Sequence, residues 1–293
     1  MAPSLVSSST STEAAQQAPE LRAPSGSCDC HIHIFGPAER YPIAPGVPYK
    51  PPLAPVDLYR PVMRRLNLER VVVVQPVAYA DDNRCTLDAV AELGDAARAV
   101  VVVTPETGDP ALIRWSQQGA RGARFFMLRG STMKWEWLER ISARVADLGW
   151  HIQLQFDGRE MPELETLIRR LPSDVVIDHN GKFLEPVKPS DPAMLSLLRL
   201  LDSGRCWVKA SAPYETSKTG APDYEDVGAI AKCLIAAAPE RVVWATNWPH
   251  GAEVNKPDDA ALLDTLLRWA PDEVVRHQLL VENPRRLYGF GTG

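Results

Sequence analysis

The sequence predicts a (β/α)8 barrel of the TIM type, on three observations. Eight short β-branched runs alternate with amphipathic stretches from Cys28 to the C-terminus, the pattern of βα units on a parallel sheet. Eight such units in one domain of roughly 250 residues have the size of a TIM barrel. No Gly-x-Gly-x-x-Gly turn follows any run, which weighs against a doubly wound sheet.

In chain order, strands are expected at CDCHIHIF from Cys28, RVVVVQP from Arg70, VVVVT from Val100, ARGARFF from Ala120, WHIQLQF from Trp150, DVVIDH from Asp174, CWVKAS from Cys206 and RVVWATNW from Arg241. Alternate residues of a strand point to opposite faces. Asp29, His31 and His33 are therefore expected inside the barrel, and Cys28 and Cys30 beneath the helices. A proline-rich loop from Gly36 to Asp57 follows, and loops of that length act as lids or binding loops. It is assigned to the barrel mouth. After the fourth strand, Leu138, Ile141, Val145 and Leu148 make one apolar stripe for a helix facing the sheet. Leu262, Leu263, Leu266 and Leu267 do the same after the eighth. In VENPRRLYGF, Asn283 and Pro284 read as a turn or helix start that lets Leu287 and Tyr288 pack on the barrel.

Composition narrows the function classes. Hydrophobic residues are 45% and charged residues 24%, as in ordinary globular proteins. A net charge of −5 offers no field for a phosphate backbone, so no nucleic acid partner is expected. No run of 18 apolar residues exists, so no membrane partner is expected either. The five cysteines are odd in number and irregular in spacing, which points to a reducing, cytoplasmic setting. Residues 1–27 are expected as a disordered tail and 28–293 as a single catalytic domain. Whether the chain forms a homo-oligomer is left open.

Barrel enzymes work at the C-terminal ends of their strands. His31 and His33 end the first strand, Arg124 the fourth, Gln155 the fifth, His179 the sixth, and Asn247 and His250 the eighth. Polar groups from such distant positions converging on one rim are hard to obtain from surface polarity alone. Two imidazoles buried together also cost desolvation unless something uses them. His151 and His277, at a strand start and within a helix, are read as structural.

CDCHIHIFGP, GARGARFF, DHNGK, TNWPH and ENPRRLY together resemble the amidohydrolase-related family that contains 2-pyrone-4,6-dicarboxylate lactonase and D-galactarolactone isomerase. The resemblance spans Cys28 to Tyr288 and implies an amidohydrolase-like barrel acting on a small-molecule lactone. In the wider superfamily His-x-His, a further His and an Asp after the eighth strand bind divalent metal. Here the Asp position is Asn247, a poor ligand for a hard cation, and the resembled branch works without metal, so no metal or other cofactor is expected. An amide is also no base for activating water, which favours isomerisation of a sugar-diacid lactone, with lactone hydrolysis and a non-catalytic ligand-binding barrel as alternatives.

The resemblance extends to QFDG with Gln155 and Asp157, to HNGKF with His179 and Lys182, and to YETS with Tyr214 and Glu215, all similar to the isomerase pattern. His31 and the FGP turn lean to the lactonase. The implied roles are polarisation of the carbonyl and proton movement by His31, His33 and His179, and substrate orientation by Asn247. Gln155, Asp157, Tyr214, Glu215 and His250 are expected to bind substrate, with Arg124 and Lys182 gripping its free carboxylate. Tyr49 on the lid either closes over the ring or merely packs the loop, and Arg124 has the alternative of a salt bridge inside the barrel.

Overall fold

The computed structural model describes residues 17–47, 50–128, 131 and 133–291. Eight parallel strands run in sequence order: β1 Cys28–Ile32, β2 Arg70–Val74, β3 Ala97–Val101, β4 Ala120–Phe126, β5 His151–Gln155, β6 Val175–Ile177, β7 Cys206–Ser211 and β8 Val242–Ala245. The ends of β1 and β8 meet where the Asn247 N–H donates to the His31 carbonyl at 2.9 Å and the His33 N–H to the Trp248 carbonyl at 2.7 Å. Helices α1 Val56–Leu66, α2 Arg84–Leu93, α3 Asp109–Gln117, α4 Leu138–Ala146, α5 Met161–Arg170, α6 Pro192–Asp202, α7 Glu225–Ala237 and α8 Asp259–Trp269 wrap this sheet as a (β/α)8 barrel.

Two apolar layers follow from strand alternation. Val71, Val73, Ala99, Ile152, Leu154, Val175 and Val208 share one core with Leu66, Leu112, Ile141, Val145, Leu197 and Leu263 of the helices. The opposite face, with Val72, Val74, Val100, Val176 and Val243, forms a separate interior cluster with Tyr288 and Phe290. Those two rings close the bottom of the barrel, because Tyr288 packs on His151 at the start of β5 with ring centroids 5.4 Å apart.

The structure corrects the expected phase of β1. Cys28 and Cys30 belong to the interior cluster, and Asp29 points outward, bonded to the Tyr59 hydroxyl of α1 at 3.0 Å and to the Thr246 N–H at 3.0 Å. The pairings Asp29 with Val71 and Ile32 with Val73 leave one extra residue on β1, a bulge that resets the alternation and turns His31 inward. β3 also starts earlier than expected, at Ala97, because pairing with β2 recruits Ala97 and Arg98 despite their weak strand preference. Residues 17–27, placed with the tail by composition, lie against the barrel: Leu21 and Ala23 are buried, and the Leu21 N–H donates to Asp264 at 2.8 Å. Among the described residues no helix is long and apolar enough to cross a membrane.

Candidate active site

His31, His33 and His179 meet at the C-terminal end of the barrel. The His31 and His33 rings stand edge to face with centroids 4.9 Å apart, and the His179 ring lies at the same centroid distance from His31. His33 Nδ1 is 2.8 Å from the Val74 carbonyl, which only accepts, so the His33 proton is on Nδ1. Its Nε2 faces His31 Nε2 at 3.3 Å. Burial holds all three rings well below the usual imidazole range, with His33 pushed down to about 3, burial first and Arg124 second. They are neutral at pH 7. Ser211 Oγ sits 2.9 Å from His179 Nδ1 and fixes that ring.

A second set of side chains forms a continuous polar chain beside the histidines. The Lys182 ammonium is ion-paired with Glu215. The Asn247 amide donates to Glu215 Oε1 and to the Tyr214 hydroxyl oxygen, each at 2.9 Å. Tyr214 in turn donates to His250 Nδ1 at 2.8 Å, since His250 Nε2 faces the Asp259 carboxylate at 3.0 Å and must carry the ring proton. Burial raises the Tyr214 phenol well above its ordinary range, which keeps it protonated. Burial likewise pushes the Lys182 ammonium down to about 8.

On the opposite rim Arg124, itself buried, donates to the Gln75 carbonyl at 2.5 Å and to Gln155 Oε1 at 2.9 Å. Five rim residues hold left-handed backbone: His179 at φ 51°, Asn180 at 56°, Lys182 at 49°, Asn247 at 66° and His250 at 57°. Such conformations are uncommon outside glycine and gather at functional sites.

Not every expected residue points into this mouth. Asp157 is committed to a turn: it accepts from the Arg159 guanidinium at 2.9 Å and from the backbone N–H groups of Arg159 and Leu184. Lys182 is ion-paired with Glu215, so a substrate carboxylate has to compete for it. Tyr49 lies outside the described residues. Three groups escaped the sequence reading, namely Asp259, Asp178 and Lys209. The buried Lys209 ammonium donates to the Cys30 carbonyl at 2.9 Å, Gln153 Oε1 at 2.7 Å and His31 Nδ1 at 3.2 Å.

One potential ligand atom from each of His31, Asp178 and His179 lies within 4.8 Å of the others. They do not fit a divalent ion as they stand. Lys209 already lies 3.7 Å from Asp178 Oδ1 and against His31 Nδ1, and Asn247 turns its amide nitrogen to Glu215 where a carboxylate ligand would be needed.

The model of the amidohydrolase family matches residues 28–290. The chain belongs to the amidohydrolase family. It is 38% identical to a D-galactarolactone isomerase from Agrobacterium fabrum, over 92% of this chain and 94% of that protein. It is 34% identical to a 2-pyrone-4,6-dicarboxylate hydrolase from Comamonas testosteroni, over 92% of each. An apo crystal structure from Agrobacterium tumefaciens superposes with a TM-score of 0.89 at 38% identity, covering 94% of this chain and all of that one. This amidohydrolase thus has relatives named for isomerisation and for hydrolysis of lactones.

Proposed function

We propose that this amidohydrolase isomerises a small sugar-diacid lactone by acyl transfer within the substrate. The observation that carries the proposal is Asn247, an amide held by Tyr214 and Glu215 at the strand end where a hydrolase needs a carboxylate base for water. In isomerisation a substrate hydroxyl attacks the lactone carbonyl, the new C–O bond forms, the old ring C–O bond breaks, and one proton passes from the attacking to the departing oxygen. A well-placed intramolecular nucleophile has an effective molarity of ~10⁵ M or more, so positioning replaces a strong base.

The side chains divide the work by their chemistry. His31 offers a donor to the carbonyl oxygen, and His33 and His179 flank it as neutral rings. Arg124, with Gln155, suits the substrate's free carboxylate, because a guanidinium grips that group through two parallel hydrogen bonds. Tyr214 relays the migrating proton: its phenol passes its own proton to His250 Nδ1, backed by Asp259, as it accepts one from the attacking hydroxyl, and the reverse transfers deliver a proton to the departing oxygen. Glu215 accepts from sugar hydroxyls once a substrate carboxylate draws Lys182 away.

The same Tyr214, His250 and Asp259 chain supports a second reading, hydrolysis, since it could serve as a base for water in place of a carboxylate. A panel of aldaric and pyrone lactones separates the two: isomerisation keeps the ester carbonyl in the infrared spectrum and hydrolysis removes it. Conversion of no aldaric lactone would end the proposal. The unpaired state of the five cysteines supports a cytoplasmic setting.

A further inference from the structure

Lys209 is a buried charge in the middle of β7 that the reaction above does not use. An ammonium has three protons and no lone pair, and here three acceptors lie within hydrogen-bond reach, Cys30 O, Gln153 Oε1 and His31 Nδ1, with Asp178 Oδ1 ion-paired beyond them at 3.7 Å. His31 Nδ1 must therefore present its lone pair, which puts the ring proton on Nε2. The far side of the ring demands the same. His33 carries its proton toward the Val74 carbonyl, so its Nε2 is an acceptor 3.3 Å from His31 Nε2. Two independent contacts, one on each edge of His31, select one tautomer.

That tautomer has the wrong polarity for a metal ligand. A ligating histidine keeps a lone pair on one nitrogen and donates the other N–H to a carboxylate, carbonyl or water. His33 is arranged that way. His31 is reversed, with a cation where an acceptor belongs.

We propose that Lys209 is the built-in cation of this barrel, a positioning residue that locks His31 as an Nε2–H donor and closes the His31, Asp178 and His179 cluster to divalent metal. Removing its charge frees His31 Nδ1 to protonate toward Asp178 Oδ1, 3.4 Å away. Nε2 then becomes a lone pair beside His33 and His179, and the cluster turns into a metal site. The inference stands apart from the lactone reading, since it concerns only which nitrogen holds a proton and which ions bind.

The test uses the full chain with ¹⁵N-labelled histidine and a His31→Gln variant for assignment. Long-range ¹H–¹⁵N spectra of the wild type are expected to show His31 as the neutral Nε2–H tautomer, and an Nδ1–H or doubly protonated ring would overturn the proposal. Cobalt(II) titration followed by visible absorption supplies the second arm. The wild type is expected to give no ligand-field bands, whereas Lys209→Met binds one equivalent and loses it when His179→Ala is added. Equal cobalt binding by wild type and Lys209→Met, or none by a Lys209→Met protein with native circular dichroism, would also overturn it. Should Lys209→Met fail to fold, the wild-type tautomer decides alone.

Discussion

Asn247 and Glu215 are bound to one another, amide nitrogen to carboxylate at 2.9 Å, and the same amide reaches the Tyr214 hydroxyl. The residue at the end of β8 is thereby a hydrogen-bond donor. Replacing it with Asp turns that donor into an acceptor facing a second carboxylate. Asn247→Asp is expected to trade isomerisation for slow ring opening, because it supplies a base and disturbs the grip on Glu215. Carbon NMR of the product checks this: free diacid should appear in the variant and not in the wild type, and an unchanged product would refute the role given to Asn247.

The Tyr214, His250 and Asp259 chain makes a separate demand. General acid–base groups contribute typically ~10²–10⁴-fold to rate. Tyr214→Phe should lower kcat within that range while changing KM by less than about tenfold, and His250→Gln should follow it. A loss confined to KM would reduce Tyr214 to a binding residue.

Lys182 ties affinity to pH. Burial pushes its ammonium down to about 8, against the opposing pull of Asp178, so the cation is present below that value and lost above it. Binding of a dicarboxylate competitor, measured by calorimetry, should weaken as pH rises through about 8. Constant affinity up to pH 10 would contradict a carboxylate-binding role.

Acid destabilises the fold through its buried histidines. His31, His151 and His179 are buried and held low by burial, His151 at about 3, whereas histidines of an unfolded chain titrate near ~6.5. The unfolded chain thus gains protons first, and the stability these rings contribute is present above about pH 6.5 and lost as pH falls below it. Each ring costs roughly 1.4 kcal/mol per pH unit in that window. Asp29, raised to about 6 by burial, runs the other way and offsets about one ring between roughly pH 4 and 6. Glu165, held at about 2 by Arg199, acts only below the ordinary glutamate range near ~4.3. The urea midpoint should fall between pH 6.5 and 4.5, and a flat profile would refute the assignment of neutral buried histidines.

The strand ends were legible because chemistry at the mouth of a barrel must come from polar residues just past apolar runs, as His179, Asn247 and His250 do. The phase of β1 was not, since a bulge is set by the pairing of Asp29 and Ile32 with β2 and leaves no mark in composition. Lys209 and Gln153 did leave a signal. Parallel barrel strands are buried on both faces and read as near-continuous apolar runs, so a lysine inside CWVKAS or a glutamine inside HIQLQ has to be an interior polar group. Asp259 was hidden because it opens α8, where an acidic residue is ordinary helix chemistry, and only the fold brings it to His250. Asp157 misled for the converse reason: its place in QFDG matched a pattern, while its side chain caps the following turn.

The direct test of intramolecular acyl transfer is turnover in ¹⁸O-labelled water, with the product lactone analysed by mass spectrometry. The expected result is an isomerised lactone carrying no ¹⁸O, since both reacting oxygens come from the substrate. Incorporation of one ¹⁸O atom per turnover would mean that water attacks the carbonyl, and would contradict the role assigned to Asn247.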